Sequence, residues 1–182
     1  SMKKIVTILI IVLAASRAMA QFSSANLQAA GLTCAMCTKA INNSLEKLSF
    51  VQSVSADIKS SSFHIAFKKE VSVDFDLIKK AVNDAGFSVA RLNVTGTFSG
   101  VAVQNDTHVQ IDGKTFHFLN ISNQTLSGEK TLLITDKDFI GGKEFKKYHS
   151  ATQMSCVQTG RAGSCCIKDG IKESTRIYHV TI

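Results

Sequence analysis

The feature that most restricts this chain is a switch of hydrophobic period along residues 23–94. Ala25 to Gly31 reads as a short strand. Ala40, Ile41, Leu45 and Leu48 then recur at helical spacing, which predicts a helix from about Ala35 to Leu48. Val51 to Lys59 alternates again, with Val54, Ala56 and Ile58 on one face, and Ser60 to Ser62 make a turn. Phe63, Ile65 and Phe67 alternate against His64, Ala66 and Lys68 as a half-buried strand. Asp74 or Asp76 starts a second helix whose apolar face is Phe75, Ile78, Ala81 and Val82, and Gly86 ends it. Phe87 to Val94 is a last strand. The order is β-α-β-β-α-β, that of a ferredoxin-like split unit.

Residues 95–182 read differently. Turns are frequent and strands dominate: Phe98 to Gln104, His108 to Ile111, Lys114 to Asn120, Thr131 to Thr135 and Arg176 to Thr181. Asp112-Gly113 is a strong tight-hairpin signal. Phe139 to Tyr148 is a short helix candidate, weakened by Gly141-Gly142. The fold class expected is α+β: a ferredoxin-like domain over 21–94, then a small mostly-β domain over 95–182, an OB-like barrel or a sandwich.

The first twenty residues read as an address. Ser1 before Met2 is set aside as a cloning remnant. Lys3-Lys4, an apolar run from Ile5 to Ala15 and Ala18-Met19-Ala20 form the three-part pattern of a secretory signal, cleaved near Ala20. Such a run is about 16 Å long as a helix, short of a hydrocarbon core of about 30 Å. The expectation is export to a bacterial periplasm, with membrane contact only through an uncleaved signal or a membrane partner.

Gly31-Leu32-Thr33-Cys34-Ala35-Met36-Cys37 carries the chemistry of the first half, on the loop entering the first helix. A lone CxxC serves redox exchange, half a zinc site or a soft-metal clip. The chain has no proline, which argues against the thioredoxin fold and its cis-proline. No second CxxC or nearby His pair lies in this half to complete a four-ligand zinc site. Two thiolates suit a soft ion such as Cu(I) or Hg(II), and a helix N-terminus favours the thiolate form, Cys37 above all. Gly31 frees the loop backbone, and Thr33 caps or braces it. Met36 faces solvent, as an ordinary loop residue or a transient third ligand. An oxidised, inert Cys34–Cys37 pair is the bland alternative.

The heptapeptide resembles the GMTCxxC motif of heavy-metal-associated domains, found in copper chaperones, the N-termini of metal-transporting P-type ATPases and the periplasmic mercury-binding protein. The apolar helix after the motif and Asp84-Ala85-Gly86-Phe87 before the last strand extend the resemblance over roughly residues 23–94. It implies that Cys34 and Cys37 both bind the metal and that Phe87 packs beside and shields it. Leu32 departs from the family's usual Met, which packs in the core without ligating, so Leu substitutes. The resemblance implies a metallochaperone that passes Cu(I), or else Hg(II), Cd(II) or Zn(II), to a transporter, an ATPase or a metalloenzyme. Competing readings are a thiol–disulfide exchange protein using the same CxxC and a structural or docking protein of a membrane complex.

In the second half, chemistry concentrates in His149, Met154, Cys156, Cys165 and Cys166. One reading is a disulfide from Cys156 to Cys165 or Cys166, leaving one cysteine over; neighbouring cysteines rarely bridge each other. The other is a second soft-metal site. His64, His108, His117 and His179 lie in strand-like patterns and are read as surface or satisfied core residues. The formal charge is +7, but Lys3, Lys4 and Arg17 of the leader supply three of those charges. No basic run interleaved with aromatics occurs, so nucleic-acid binding is not expected. Trp is absent, which leaves a carbohydrate platform poorly supported. No hydrolase triad, phosphate loop or paired carboxylates stand out, and no enzymatic activity is expected.

Overall fold

The computed structural model describes residues 20–32 and 34–182. The expected leader up to residue 19, and Thr33, lie outside the described residues. Thirteen elements follow one another in the described part. They are β1 (Ala20–Ala30), α1 (Ala35–Glu46), β2 (Val51–Asp57), β3 (Ser62–Phe67), α2 (Phe75–Asp84), β4 (Ser88–Val103), β5 (Thr107–Ile111), β6 (Lys114–Phe118), β7 (Gln124–Ile134), α3 (Gly142–His149), α4 (Cys156–Thr159), α5 (Ser164–Ile167) and β8 (Ile177–Thr181).

The first six form the ferredoxin-like unit. Its strands pair in the order β2-β3-β1-β4, so each helix crosses over a strand inserted between the two it joins. Asp74 is the residue that starts α2: its carboxylate accepts from the amides of Asp76 and Leu77 at 2.9 and 3.1 Å. The two helices lie on one side and touch where the Ser44 hydroxyl donates to the Ala81 carbonyl at 2.7 Å.

The second half is mostly β, as its turn-rich sequence implies. Its strands do not close an OB-like barrel or stack as a separate sandwich; they extend the first sheet, whose full order is β2-β3-β1-β4-β7-β8-β6-β5. The physical reason is β4. The strands expected over Phe87–Val94 and Phe98–Gln104 are one: β4 runs sixteen residues straight through Thr95-Gly96-Thr97, across the boundary expected at residue 94. One edge of β4 pairs with β1, and the other edge pairs with β7 from Asn93 to Val103. Gly96 allows this. A Cβ there would sit 2.9 Å from the Gln21 carbonyl oxygen and 3.1 Å from the Phe22 ring, beside a register shift between Phe22 and Ser24.

One core serves both halves. Phe22 and Phe75 from the first half meet Phe116 and Tyr178 from the second. Ring centroids are 5.2 Å apart for Phe22–Phe75, 5.7 Å for Phe22–Phe116 and 5.2 Å for Phe75–Tyr178. Arg176 adds a polar tie, its guanidinium forking onto Asp76 of α2 at 2.7 and 3.0 Å. The β5–β6 hairpin turns at Asp112-Gly113, both at positive φ (50° and 71°), as the dipeptide predicts. The expected helix over Phe139–Tyr148 begins later, at Gly142, and Phe139 instead plugs the core.

Candidate metal centre

Gly31 leaves β1 at φ +80°, a conformation that L side chains rarely adopt, and turns the chain toward α1. Cys34 is the N-cap of α1. Its Sγ accepts from the Cys37 amide at 3.2 Å, and its carbonyl accepts from the Thr38 hydroxyl. The first turn of α1 carries no carboxylate, so nothing opposes the positive end of the helix dipole at the two sulfurs. Cys34 and Cys37 are joined as a disulfide, with Cα atoms 5.3 Å apart. Cys34 is exposed, Cys37 half-buried, and Met36 between them is 75% exposed. Leu32 and Phe87 are half-buried and pack on the core.

Reduced, the pair offers two sulfurs at a helix N-terminus, one side open to solvent. Two thiolates so placed have the chemistry to hold a soft ion in two-coordination, with a side open to an incoming thiol.

The second group behaves differently. Cys156, Cys165 and Cys166 are free thiols, so the expected disulfide from Cys156 is not formed. Adjacent Cys165 and Cys166 hold their sulfurs 3.3 Å apart without bonding. Desolvation pushes the Cys165 thiol up, but contacts with the Ser155 hydroxyl and Cys166 bring it down to about 7. Burial pushes the Cys156 and Cys166 thiols up. Met154 packs half-buried against the small cluster of Cys156, Ala162, Cys166, Ile171 and Ile177. The Nε2–H of His149 donates to the Thr135 carbonyl at 2.9 Å, its ring lies against Phe145 and 5.7 Å from the ring of His179, and its buried Nδ1 has no hydrogen-bond partner.

What comes to Cys156 instead is a row of three histidines, each of which alone reads as a surface or core residue. His108 of β5 pairs with His117 of β6, and His117 pairs with His179 of β8. The Cys156 Sγ lies 3.7 Å from His108 Nε2 and 3.7 Å from His117 Nδ1. The first pairing had a readable signal: a two-residue turn at Asp112-Gly113 sets position 108 opposite 117. His64 is exposed on β3, away from both groups in sequence and sheet order.

Residues 27–88 match the family model of the heavy-metal-associated domain. A stretch of 59 residues is 36% identical to a probable copper-exporting P-type ATPase of Archaeoglobus fulgidus; it covers 32% of this chain and 7% of that protein, so the chain spans well under a tenth of that relative's length. Among solved structures, the CopZ metallochaperone aligns at 22% identity and TM-score 0.35, over 37% of this chain and 100% of its own. The yeast copper transporter domain CCC2A aligns at 28% identity and TM-score 0.33, over 37% of this chain and 90% of its own. The family match ends at the first residue of β4.

Proposed function

We propose, with the heavy-metal-associated domain at residues 27–88 as premise, that this is an exported metal-binding protein that carries Cu(I) between Cys34 and Cys37 and hands it on. The observation that carries the reading is the placement of both cysteines at the N-terminus of α1 inside that domain, Cys34 as its cap and exposed. The role is binding and transfer, not catalysis.

The disulfide must first be reduced by an external dithiol, which becomes a disulfide as it passes two electrons and two protons to Cys34 and Cys37. Each thiol gives up its proton as its sulfur binds the ion, helped by the helix dipole. Transfer proceeds by ligand exchange: an acceptor thiolate or thioether joins the ion, a three-coordinate intermediate forms, and one of the two cysteines leaves. A four-ligand cage would trap the ion; two exposed ligands release it. The acceptor is a transporter, an ATPase or a metalloenzyme. The leader pattern of Lys3-Lys4, apolar run and Ala18-Met19-Ala20 supports a periplasmic setting. Hg(II), Cd(II) and Zn(II) are the other ions that the two sulfurs accommodate.

An anaerobic Cu(I) titration of the reduced protein against a chromophoric chelator tests this. One tight equivalent, absent from the Cys34→Ser/Cys37→Ser variant, is expected. No such equivalent in the wild-type chain overturns the copper assignment. Thiol–disulfide exchange is the second reading, favoured by the disulfide that the pair forms. It requires the protein to reduce insulin at a rate that the same double variant loses.

A further inference from the structure

The row His108–His117–His179 crosses three neighbouring strands, and each imidazole is fixed from behind by a carboxylate. His108 Nδ1–H donates to Asp169 at 2.8 Å, His117 Nε2–H to Asp106 at 2.9 Å, and His179 Nδ1–H to Asp136 at 3.0 Å. These bonds set the tautomers. The other nitrogen of each ring is therefore a bare lone pair: Nε2 of His108, Nδ1 of His117 and Nε2 of His179.

Two of those lone pairs face Cys156 Sγ at 3.7 Å, and the third, on a ring that is 0% exposed, has no hydrogen-bond partner at all. A thiol has one proton and satisfies one acceptor. Three acceptors against the thiols of Cys156 and Cys166, with the Nε2 of His179 left without a partner, is a costly arrangement for neutral groups. It is what a cation's ligands look like.

We propose that Cys156, His117 and His179 are ligands of a second, buried metal site for a borderline divalent ion of the Zn(II) class, with His108 or Cys166 supplying the fourth ligand. The distances fit. One ligand atom each from His117, Cys156 and His179 lies within 4.8 Å of the others, and the same holds for His108, Cys156 and Cys166. The sulfur–nitrogen edge of a tetrahedral Zn(II) site with ordinary bond lengths is about 3.6 Å. The two 3.7 Å separations at Cys156 match that edge. The donor set separates this site from the first: imidazoles with a thiolate favour a closed, four-coordinate ion, and two lone thiolates do not. With His108 as the fourth ligand, binding releases one proton as the Cys156 thiol becomes the thiolate; with Cys166 it releases two, one from each thiol. In the first case the Asp106, Asp136 and Asp169 carboxylates behind the rings offset the remaining positive charge.

The site does not rest on the copper reading, and its test removes the first pair. The full chain carrying Cys34→Ser/Cys37→Ser, reduced and stripped of metal, is titrated with Co(II) and back-titrated with Zn(II). Expected is one equivalent with thiolate-to-cobalt charge-transfer absorption and the intense ligand-field bands of a tetrahedral ion, displaced by Zn(II), with a rise in Tm. Asp106→Asn keeps a residue that tolerates the positive φ of 58° at that position. It touches no ion and weakens binding about tenfold or more by loosening His117. His179→Gln weakens it at least as much. Absence of the charge-transfer band from the folded parent overturns the proposal. So does an affinity that neither Asp106→Asn nor His179→Gln changes.

Discussion

Two groups of cysteines sit in one sheet-based molecule and are built in opposite ways. Cys34 caps the N-terminus of α1 and Cys37 lies in its first turn, at an end open to solvent, where the Cys37 amide donates to the Cys34 Sγ. Cys156 is 1% exposed, set against a strand-borne histidine row that carboxylates orient. The contrast teaches that ligand type alone does not set what a thiol site is for. Exposure and ligand number decide whether an ion is exchanged or kept.

The largest expected effect is on metal lability. With both sites loaded, a competing thiol chelator should strip the Cys34–Cys37 pair first, and the Cys34→Ser/Cys37→Ser variant should lose tight Cu(I) altogether. Because Ser is a good N-cap, that variant should match the wild-type chain in stability to within about 1 kcal/mol under reducing conditions, read by urea unfolding. A large loss would mean that the pair is structural, and the contrast would fail. Next comes the shared core. Phe75 touches Phe22, Phe116 and Tyr178. Phe75→Ala should cost about 3–5 kcal/mol and lower the unfolding midpoint of both regions together. Two separate transitions would show that the halves are independent.

A smaller effect is acid sensitivity at the joint between the halves. Desolvation pushes the Asp76 carboxyl up, but the Arg176 guanidinium beside it holds it below the usual carboxylate range. A folded-state value below the unfolded one contributes stability above about pH 4, and this is lost as pH falls through the folded value. Asp76→Asn should flatten the acid limb of the stability curve below about pH 4 and cost about 1–2 kcal/mol at neutral pH. An unchanged acid limb would remove Asp76 from the account.

How much of this was legible in the sequence follows from which contacts are local. The β-α-β-β-α-β order and the CxxC at a helix start were readable, because period, caps and turns are short-range signals. Continuation of β4 through Gly96 was not: a glycine in a turn-like triplet looks the same whether it breaks a strand or admits the neighbouring backbone at Gln21. The histidine row divides the same way. The opposition of His108 and His117 is implied by the Asp112-Gly113 turn, but each taken singly looks like any surface or core histidine. His179 joins them through a parallel pairing of β6 with β8, about sixty residues on in the chain, which no local pattern encodes. Nearness in sequence groups Cys156 with His149, Met154, Cys165 and Cys166, but α3 delivers His149 to the Thr135 carbonyl.

The smallest effect sharpens the exposed side of the comparison. Met36 lies between the two cysteines with 75% of its surface in water, so its thioether buries almost nothing and its removal forfeits almost no packing. Met36→Ser should leave stability within about 0.5 kcal/mol of the parent. A thioether counted as a standing ligand would have to be lost from the Cu(I) affinity; one that only meets the ion in passing would be lost from the exchange rate. On a surface this open the sulfur is free to turn away, which costs a resting complex nothing. Chelator competition should therefore give the parent affinity, and stopped-flow transfer to a dithiol acceptor should give the parent rate. A slower rate at equal affinity would make Met36 part of the handover and the loop more than a two-sulfur clip.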